Sequence, residues 1–273
     1  MAFALKILAG LAALYLLFVG ALALGQTALL FPRWAMGGGT PLPAGSITLV
    51  LERPDGIMLH GHLLGDEHGT GPLILGFGGN AWDARAVATS LAAHLPGHDV
   101  AAFHYRGYGP STGQPSAAAL LEDAVAIHDL LAARAPDRPI IAVGISLGAG
   151  VAAHLAAARP LAGVVLVTPF DSLHALARAH HPWAPVGLLL RHRMEPASAL
   201  AESGVPVAMI TATRDHVVPA SRSRALAAAL EDVRPGLVFA REIDAGHDDI
   251  HGHPELRMAL REAVARLRPE ALP

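Results

Sequence analysis

The sequence predicts an α/β fold in which helices cover both faces of a mostly parallel sheet. Short apolar segments rich in β-branched residues alternate with longer helical segments along most of the 273 residues, an order typical of parallel sheets. Hydrophobic residues make up 52% of the chain and charged residues 16%, which excludes an intrinsically disordered protein. Cys is absent and the net charge is -3, so a disulfide framework and a cysteine nucleophile are excluded, and nucleic acid is not expected as a partner.

The N-terminal segment is apolar enough to cross a membrane. Residues 7–25 read ILAGLAALYLLFVGALALG and carry no charge, and a run of about 20 apolar residues matches the thickness of the hydrocarbon layer. We therefore expect residues 1–30 to form a single transmembrane anchor. The alternative is a secretory signal peptide cleaved near Ala21-Leu22-Ala23, although the run exceeds the usual ~7–15 apolar residues of such signals. Lys6 before the span and Arg33 after it leave the side of the remaining chain undecided.

Three further regions follow the predicted anchor. Residues 31–46 are rich in Gly and Pro and are predicted to be a connector. Residues 47–273 are predicted to form one folded domain. Within it, residues 169–204 contain several prolines, interrupt the alternation of strands and helices, and are predicted to be a small insertion.

Eight strands are predicted after the connector. The first two form an antiparallel hairpin because Asp55-Gly56 lies between them. The predicted strands are residues 47–53, 57–64, 72–77, 100–105, 140–145, 163–168, 205–211 and 237–243. The predicted helices are residues 84–95, 116–135, 147–158, 221–230 and 255–267.

A serine flanked by glycines lies between a predicted strand and a predicted helix, in Gly144-Ile145-Ser146-Leu147-Gly148. Small flanking residues allow a sharp, strained turn that lifts the serine Oγ above the sheet. The same turn aims the Leu147 N–H, at the start of the helix, at a developing oxyanion. We predict Ser146 as a nucleophile and Leu147 as an oxyanion donor; the alternative is an ordinary glycine-rich turn.

An acid and a histidine follow later strands in the order that such a nucleophile requires. Asp215 comes just after the seventh predicted strand and His247 just after the eighth. We predict that His247 deprotonates Ser146 and that Asp215 orients the imidazole. Asp171, one strand earlier, is the rival acid, and His216 is predicted to be a solvated loop residue.

Four segments resemble a known family. They are residues 77–81 (FGGNA), 105–113 (YRGYGPSTG), 168–170 (TPF) and 214–219 (RDHVVP). Together with the serine turn they resemble the α/β-hydrolase superfamily, and within it the Bem46-like, ABHD13-like group of membrane-anchored serine hydrolases. The resemblance implies an α/β-hydrolase fold and a second oxyanion donor at the backbone N–H of Asn80. Gly78 departs from the pattern, because the group usually has His there to brace the loop.

Two groups of histidines are candidate metal sites. His60, His62, Asp66 and His68 superficially resemble a metallohydrolase motif, but the Asp lies too far along the chain. His60 and His62 share one face of a predicted strand, where exposed polar residues are expected. Residues 247–253 contain three histidines that could bind a divalent ion adventitiously. We expect neither a metal nor a cofactor.

The predicted function is that of a serine hydrolase (EC 3.1) cleaving carboxylic ester or thioester bonds through an acyl-enzyme. Its predicted partners are a small-molecule or lipid acyl ester substrate and a membrane, reached through the N-terminal helix; the oligomeric state is not predicted. The alternatives are a serine peptidase of the same fold and a non-catalytic binding protein. Residues 180–183 are equally compatible with an acyl pocket and a packed loop. The short insertion predicts an open site that prefers short or medium acyl groups.

Overall fold

The structure is a computed structural model that describes residues 1–36 and 39–267. Gly37 and Gly38 of the predicted connector and residues 268–273 of the predicted domain lie outside the described residues. An eight-stranded sheet forms the centre of the fold. Its strands are β1 Ile47–Glu52, β2 Met58–Leu64, β3 Leu73–Phe77, β4 Asp99–Phe103, β5 Ile140–Ile145, β6 Gly163–Val167, β7 Val207–Ala212 and β8 Leu237–Ile243.

The strand order is β1-β2-β4-β3-β5-β6-β7-β8. Strand β2 pairs antiparallel with both of its neighbours, whereas every pair from β4 to β8 is parallel. The predicted hairpin forms at Gly56, whose N–H donates to the Arg53 carbonyl over 2.9 Å. Its φ of +75° suits a glycine. The predicted mostly parallel, eight-stranded sheet is therefore confirmed.

Nine helices are described in residues 1–36 and 39–267. They are α1 Ala2–Leu30, α2 Ala84–His94, α3 Ala117–Arg134, α4 Leu147–Ala158, α5 Leu173–His180, α6 Val186–Leu189, α7 Pro196–Ser203, α8 Ala220–Ala229 and α9 Pro254–Arg266. Helix α3 begins at Ala117 because the Ser116 side chain accepts a hydrogen bond from the Ala119 N–H over 3.1 Å.

Helices cover both faces of the sheet. Side chains on successive strand residues point to opposite faces, so in β5 Ala142 packs in the core with α3 and α4, whereas Ile141 and Val143 pack in the core with α2 and α9. Each face thus has its own apolar core, and this two-sided burial explains why the strands read as continuous apolar runs.

The seventh strand begins two residues later than predicted. The sequence predicted the seventh strand from residue 205, but β7 begins at Val207. Pro206 has no N–H to donate to a neighbouring strand, although its carbonyl accepts a hydrogen bond from the Val164 N–H over 3.0 Å. The ladder therefore starts after the proline.

Helix α1 extends beyond the apolar run at both ends and contains 29 residues. Among the described residues it is the one helix long and apolar enough to cross a membrane. The side chains of residues 2–18 are exposed, so this part is not a core helix of the folded domain. Phe31, directly after α1, is buried in the main core, so the predicted connector begins with a core residue.

The insertion, residues 169–204, is here called the cap; it contains α5, α6 and α7. Helix α7 packs along α4, next to the sheet. By contrast, α5, α6 and the loop between them lie against α1. The sequence did not predict this contact between the cap and the N-terminal helix.

Candidate active site

Ser146 occupies a strained turn between β5 and α4. Its φ of 52° and ψ of -114° are conformations that residues with a Cβ rarely adopt. The Ser146 N–H donates to the Val167 carbonyl of the neighbouring strand over 2.9 Å, which fixes the turn against the sheet. The geometry therefore presents the serine at the carboxyl edge of the sheet.

Both flanking glycines are required by close backbone contacts. A Cβ at Gly144 would overlap the Gly148 carbonyl, and a Cβ at Gly148 would overlap the Phe77 carbonyl. The second contact also shows that the start of α4 touches the loop after β3. The two glycines therefore bring together the two segments predicted to supply oxyanion donors.

Ser146, His247 and Asp215 form one hydrogen-bonded chain. His247 Nε2 lies 2.9 Å from Ser146 Oγ, and His247 Nδ1 lies 2.7 Å from Asp215 Oδ2. A carboxylate can only accept hydrogen bonds, so Nδ1 carries the proton and Nε2 of the neutral ring accepts from the serine hydroxyl. The three side chains thus have the arrangement that proton transfer from Ser146 requires.

The Asp215 carboxylate is buried and fully engaged. Its side chain is 3% exposed, and Oδ1 accepts the backbone N–H groups of Val217 and Val218 over 2.8 and 2.7 Å. Charge-assisted bonds to both oxygens fix the orientation of the carboxylate. The loop after β7 therefore holds Asp215 with one oxygen aimed at His247.

Asp171, the rival acid, and His216 are not part of this hydrogen-bonded chain. Asp171 Oδ2 accepts from Arg222 Nη1 over 3.1 Å, so that carboxylate pairs with an arginine of α8 instead of His247. His216 is exposed, as predicted. The geometry therefore favours Asp215 over Asp171 as the acid.

Two tyrosines hold the predicted oxyanion loop, residues 77–80. Tyr105 Oη donates to the Gly78 carbonyl over 2.8 Å, and Tyr108 Oη donates to the Asn80 carbonyl over 2.7 Å. Burial raises the pKa of both phenols, so both remain protonated donors. The sequence did not predict these bonds.

Gly78 fits this loop because no space is left for a side chain. A Cβ there would lie 2.6 Å from Val87 Cγ2 and 2.9 Å from Trp82 Cβ. Helix α2 and the Trp82 side chain thus occupy the position where a histidine would begin. Bonds from the two tyrosines to loop carbonyls brace the loop in this chain.

The predicted oxyanion donors lie on either side of Ser146. Leu147 is the first residue of α4, and N–H groups in the first turn of a helix have no partner within it. Asn80 follows Gly79, where a Cβ would lie 3.7 Å from Ser146 Cβ. Both backbone segments are thus beside the serine; their role as donors stays a prediction.

The expectation for His62 was wrong, because its side chain is buried. Helix α2 covers β2, so the face predicted to be exposed packs inside the protein. The His62 ring meets the His104 ring edge-on, with centroids 5.7 Å apart. Burial lowers the pKa of His62 and lowers that of His104 to about 4. The two rings are neutral core residues.

Two of the three histidines in residues 247–253 have different surroundings. His247 contacts Ser146 and Asp215, whereas the His251 ring packs on Trp82 with centroids 4.6 Å apart. Burial lowers the pKa of His251 to about 4. Across residues 1–36 and 39–267, no three His, Asp or Glu side chains are grouped to hold a metal ion.

Comparisons with known proteins give consistent results. Residues 73–195 match the family model of the α/β hydrolase fold. The chain is 38% identical over 219 residues to the uncharacterized protein Rv2307c of Mycobacterium tuberculosis. This match covers 79% of this chain and 75% of the mycobacterial protein. It is 29% identical over 227 residues to lysophosphatidylserine lipase ABHD12 of Xenopus tropicalis, covering 70% of this chain and 57% of that protein. The chain thus spans little more than half the length of that lipase.

Solved structures show the same fold. An esterase of Pyrococcus furiosus, Pf2001, superimposes with a TM-score of 0.69 and 18% identity, over 85% of this chain and 96% of that chain. A serine hydrolase without a lid, XC6422 of Xanthomonas campestris, superimposes with a TM-score of 0.59 and 22% identity, over 86% of this chain and 100% of that chain. At these identities the likeness concerns the fold alone. The family model and the mycobacterial relative show that this chain belongs to the α/β hydrolase family.

Proposed function

We propose that the protein is a serine hydrolase that cleaves carboxylic ester or thioester bonds through an acyl-enzyme intermediate. The hydrogen-bonded chain Ser146–His247–Asp215, with bonds of 2.9 and 2.7 Å, carries the proposal. The strained backbone at Ser146 supports it further, since such strain persists mainly at functional sites. A non-catalytic binding protein would have no need of this strain or of a buried carboxylate aimed at a histidine.

In the first half of the reaction, Ser146 Oγ attacks the acyl carbon and its proton passes to His247 Nε2. Asp215 stabilises the imidazolium that forms. The N–H groups of Leu147 and Asn80 donate to the oxyanion of the tetrahedral intermediate. When the intermediate collapses, the bond to the alcohol or thiol breaks and the leaving group takes the proton from His247.

In the second half, water replaces the leaving group. His247 Nε2 takes a proton from the water, whose oxygen attacks the acyl carbon of the ester on Ser146. Collapse of the second tetrahedral intermediate returns the proton to Ser146 Oγ and releases the carboxylic acid. The cycle consumes one ester and one water, and it needs only side chains and backbone groups of this chain.

Esters are favoured over peptides by the names of related proteins. ABHD12 is named a lipase, and Pf2001 is named an esterase. Purified full-length protein offered p-nitrophenyl butyrate, a butyryl thioester and peptide p-nitroanilides tests the choice. We expect hydrolysis of the ester and the thioester. Faster cleavage of the anilides would favour the peptidase alternative, and failure to cleave any of the three would contradict the proposal.

We also propose that α1 anchors the protein in a membrane and is retained. The exposed apolar side chains of residues 2–18 support this, since water is an unfavourable environment for so large an apolar surface. The hydrogen bond from Tyr15 to the Trp183 carbonyl of the cap supports retention, because cleavage near residue 24 would remove Tyr15. The protein is expected to resist alkaline carbonate extraction from membranes. A mature protein beginning near Leu24 or Gln26 would contradict retention.

A further inference from the structure

An apolar cavity lies between α1 and the cap. Its volume is about 270 Å³, and thirteen of its sixteen lining residues are apolar; Gln26, His180 and His181 are the others. Helix α1 supplies six of the sixteen, from Val19 to Leu30. The membrane helix is therefore one wall of this cavity and the cap is the opposite wall.

Specific contacts join the two walls. The Phe18 ring stacks on Trp183 of the cap with centroids 5.5 Å apart, and Tyr15 Oη donates to the Trp183 carbonyl over 2.9 Å. Gln26 of α1 is buried; it donates to the Leu189 carbonyl over 3.0 Å and accepts the Arg191 N–H over 2.7 Å. These bonds satisfy the one amide side chain of α1, so the helix has a defined register against the cap.

The length of α1 places the cavity at the depth of the hydrocarbon. Among the described residues, the first hydrogen bond from α1 to the cap is that of Tyr15, and only residues 7–14, about 12 Å of helix, lie between Lys6 and that point. A hydrocarbon layer of about 30 Å needs about 20 residues, and a lysine inside it is costly. A span that starts after Lys6 therefore extends to about Gln26 and includes the part of α1 that lines the cavity.

Exposed apolar side chains on the cap agree with this depth. Leu188 is 88% exposed and Trp183 is 44% exposed, and both belong to the part of the cap nearest α1. Val217, which lines the cavity, is 47% exposed. In water these groups would form an unfavourable apolar surface, whereas beside a spanning helix they contact lipid.

The cavity also adjoins the catalytic loop. The Val217 side chain lines it, and the Val217 N–H donates to Asp215 Oδ1 over 2.8 Å. The Val217 carbonyl lies 2.8 Å from His180 Nε2, which ties this loop to α5. The wall of the cavity and the loop that holds the acid are therefore one segment of chain.

We propose that this cavity binds the acyl chain of a single-chain lipid ester, which enters sideways from the bilayer, with the anchor helix as part of the substrate site. The proposal rests on the proposed ester hydrolysis. A chain that moves from lipid into the cavity exchanges one apolar environment for another. A chain that had to cross water would lose about fourfold in equilibrium constant for each exposed methylene. The volume, just below the ~300–1,000 Å³ of common ligand sites, suits one chain.

The test introduces a large side chain into the cavity from each of its two walls. Full-length protein in phosphatidylcholine vesicles is assayed with p-nitrophenyl palmitate and p-nitrophenyl acetate, which share a leaving group. Ala23→Phe on α1 and Ala177→Phe on α5 place a ring in the cavity. Each is expected to lower the palmitate-to-acetate ratio of kcat/KM by about 10- to 100-fold, the usual cost of overpacking. Ala21→Phe and Ala179→Phe, on exposed positions of the same helices, are the matched controls and should leave the ratio unchanged.

The outcomes separate this inference from the proposed function. Wild-type protein that cleaves neither ester contradicts the proposed function. If the wild type cleaves both esters but the palmitate-to-acetate ratio is unchanged in Ala23→Phe and Ala177→Phe, the acyl site is overturned and the proposed function is not. The same unchanged ratio with an altered oligomeric state would assign the cavity to a second copy of the chain. Acetate hydrolysis in each variant reports whether it is folded.

A second measurement tests the depth. The chain has three Trp residues, so a protein with Trp34→Phe and Trp82→Phe keeps only Trp183. We expect vesicles of phosphatidylcholine brominated on its acyl chains to quench Trp183 fluorescence relative to unbrominated vesicles. Equal fluorescence in both kinds of vesicle would place the cap outside the hydrocarbon and overturn entry from the bilayer.

Discussion

The two halves of the proposed substrate site are held in different ways. At the catalytic edge, Ser146, Asp215 and His247 each follow a strand of one sheet, and hydrogen bonds of 2.7 and 2.9 Å join them. At the contact between α1 and the cap, hydrogen bonds of Tyr15 and Gln26 join the two walls, but thirteen of the sixteen side chains that line the cavity of about 270 Å³ are apolar. The first half suits chemistry that needs exact positions, and the second suits a flexible chain.

From this comparison we expect reaction and chain recognition to be separable in this protein. Variants at the catalytic edge should lower the hydrolysis of every ester by a similar factor. Variants that fill the cavity should change only the dependence on chain length. The following predictions test the catalytic half, and each is measured on both p-nitrophenyl acetate and p-nitrophenyl palmitate.

The largest effect is expected from Ser146→Ala. Removal of the nucleophile should lower kcat by about 10⁵-fold or more for both esters, because the members of such a triad act as a unit. The turn itself should survive, since the Ser146 N–H bond to Val167 is made by the backbone. Thermal unfolding checks the fold, and a well-folded variant with most of its activity would remove Ser146 from the mechanism.

A smaller effect is expected from Asp215→Asn. The amide cannot fix the histidine tautomer as the carboxylate does, and kcat should fall by about 10⁴-fold for both esters. Asp171→Asn is the matched control, because Asp171 pairs with Arg222 and not with His247. Its kcat should stay within about threefold of the wild type, by the small contribution of ion pairs of this kind. Reversed results would make Asp171 the acid.

The next effect concerns the contact between the start of α4 and the oxyanion loop. In Gly148→Ala, the new methyl group overlaps the Phe77 carbonyl and must displace the loop. We expect kcat to fall by about 10²–10³-fold, the usual cost of losing an oxyanion donor. Gly252→Ala is the control, because among the described residues a Cβ there meets nothing within 4 Å. Wild-type kcat in Gly148→Ala would show that the loop position does not matter.

The smallest effect is expected from Tyr108→Phe, which removes the hydrogen bond to the Asn80 carbonyl. The kcat for both esters should fall by about 3- to 10-fold with KM unchanged, in line with the net value of one hydrogen bond. Tyr15→Phe removes an equivalent bond, to the Trp183 carbonyl, at the contact of α1 with the cap. That variant should keep its kcat for acetate. An equal loss in both variants would erase the distinction between the two halves.

The parts that the sequence predicted are those fixed by local constraints. Strands β5 and β8 and helix α4 begin and end where predicted, because their apolar runs are bounded by glycines or polar loops. The turn at Ser146 was recognisable because only small residues fit on both sides of it. Membership in the α/β hydrolase family, inferred from motifs, was confirmed by the comparisons.

The parts that the sequence did not predict depend on contacts between distant segments. Gln26 and Leu189 are 163 positions apart, and no local pattern indicates that they meet. His62 was expected on an exposed strand face, but α2 covers that face. Gly78 stands where the resembled group usually has a histidine. The bonds that hold the loop in its place come from Tyr105 and Tyr108, which are 27 and 28 positions away from the carbonyls they contact.

The central claim, that Ser146 forms the covalent intermediate, is tested most directly by the site of a covalent adduct. The full-length protein is treated with a fluorophosphonate probe, digested and examined by peptide mass spectrometry. We predict a single adduct on Ser146 and simultaneous loss of ester hydrolysis. Ser146→Ala should not be labelled. An adduct on another residue, or full hydrolysis by protein labelled at Ser146, would contradict the account.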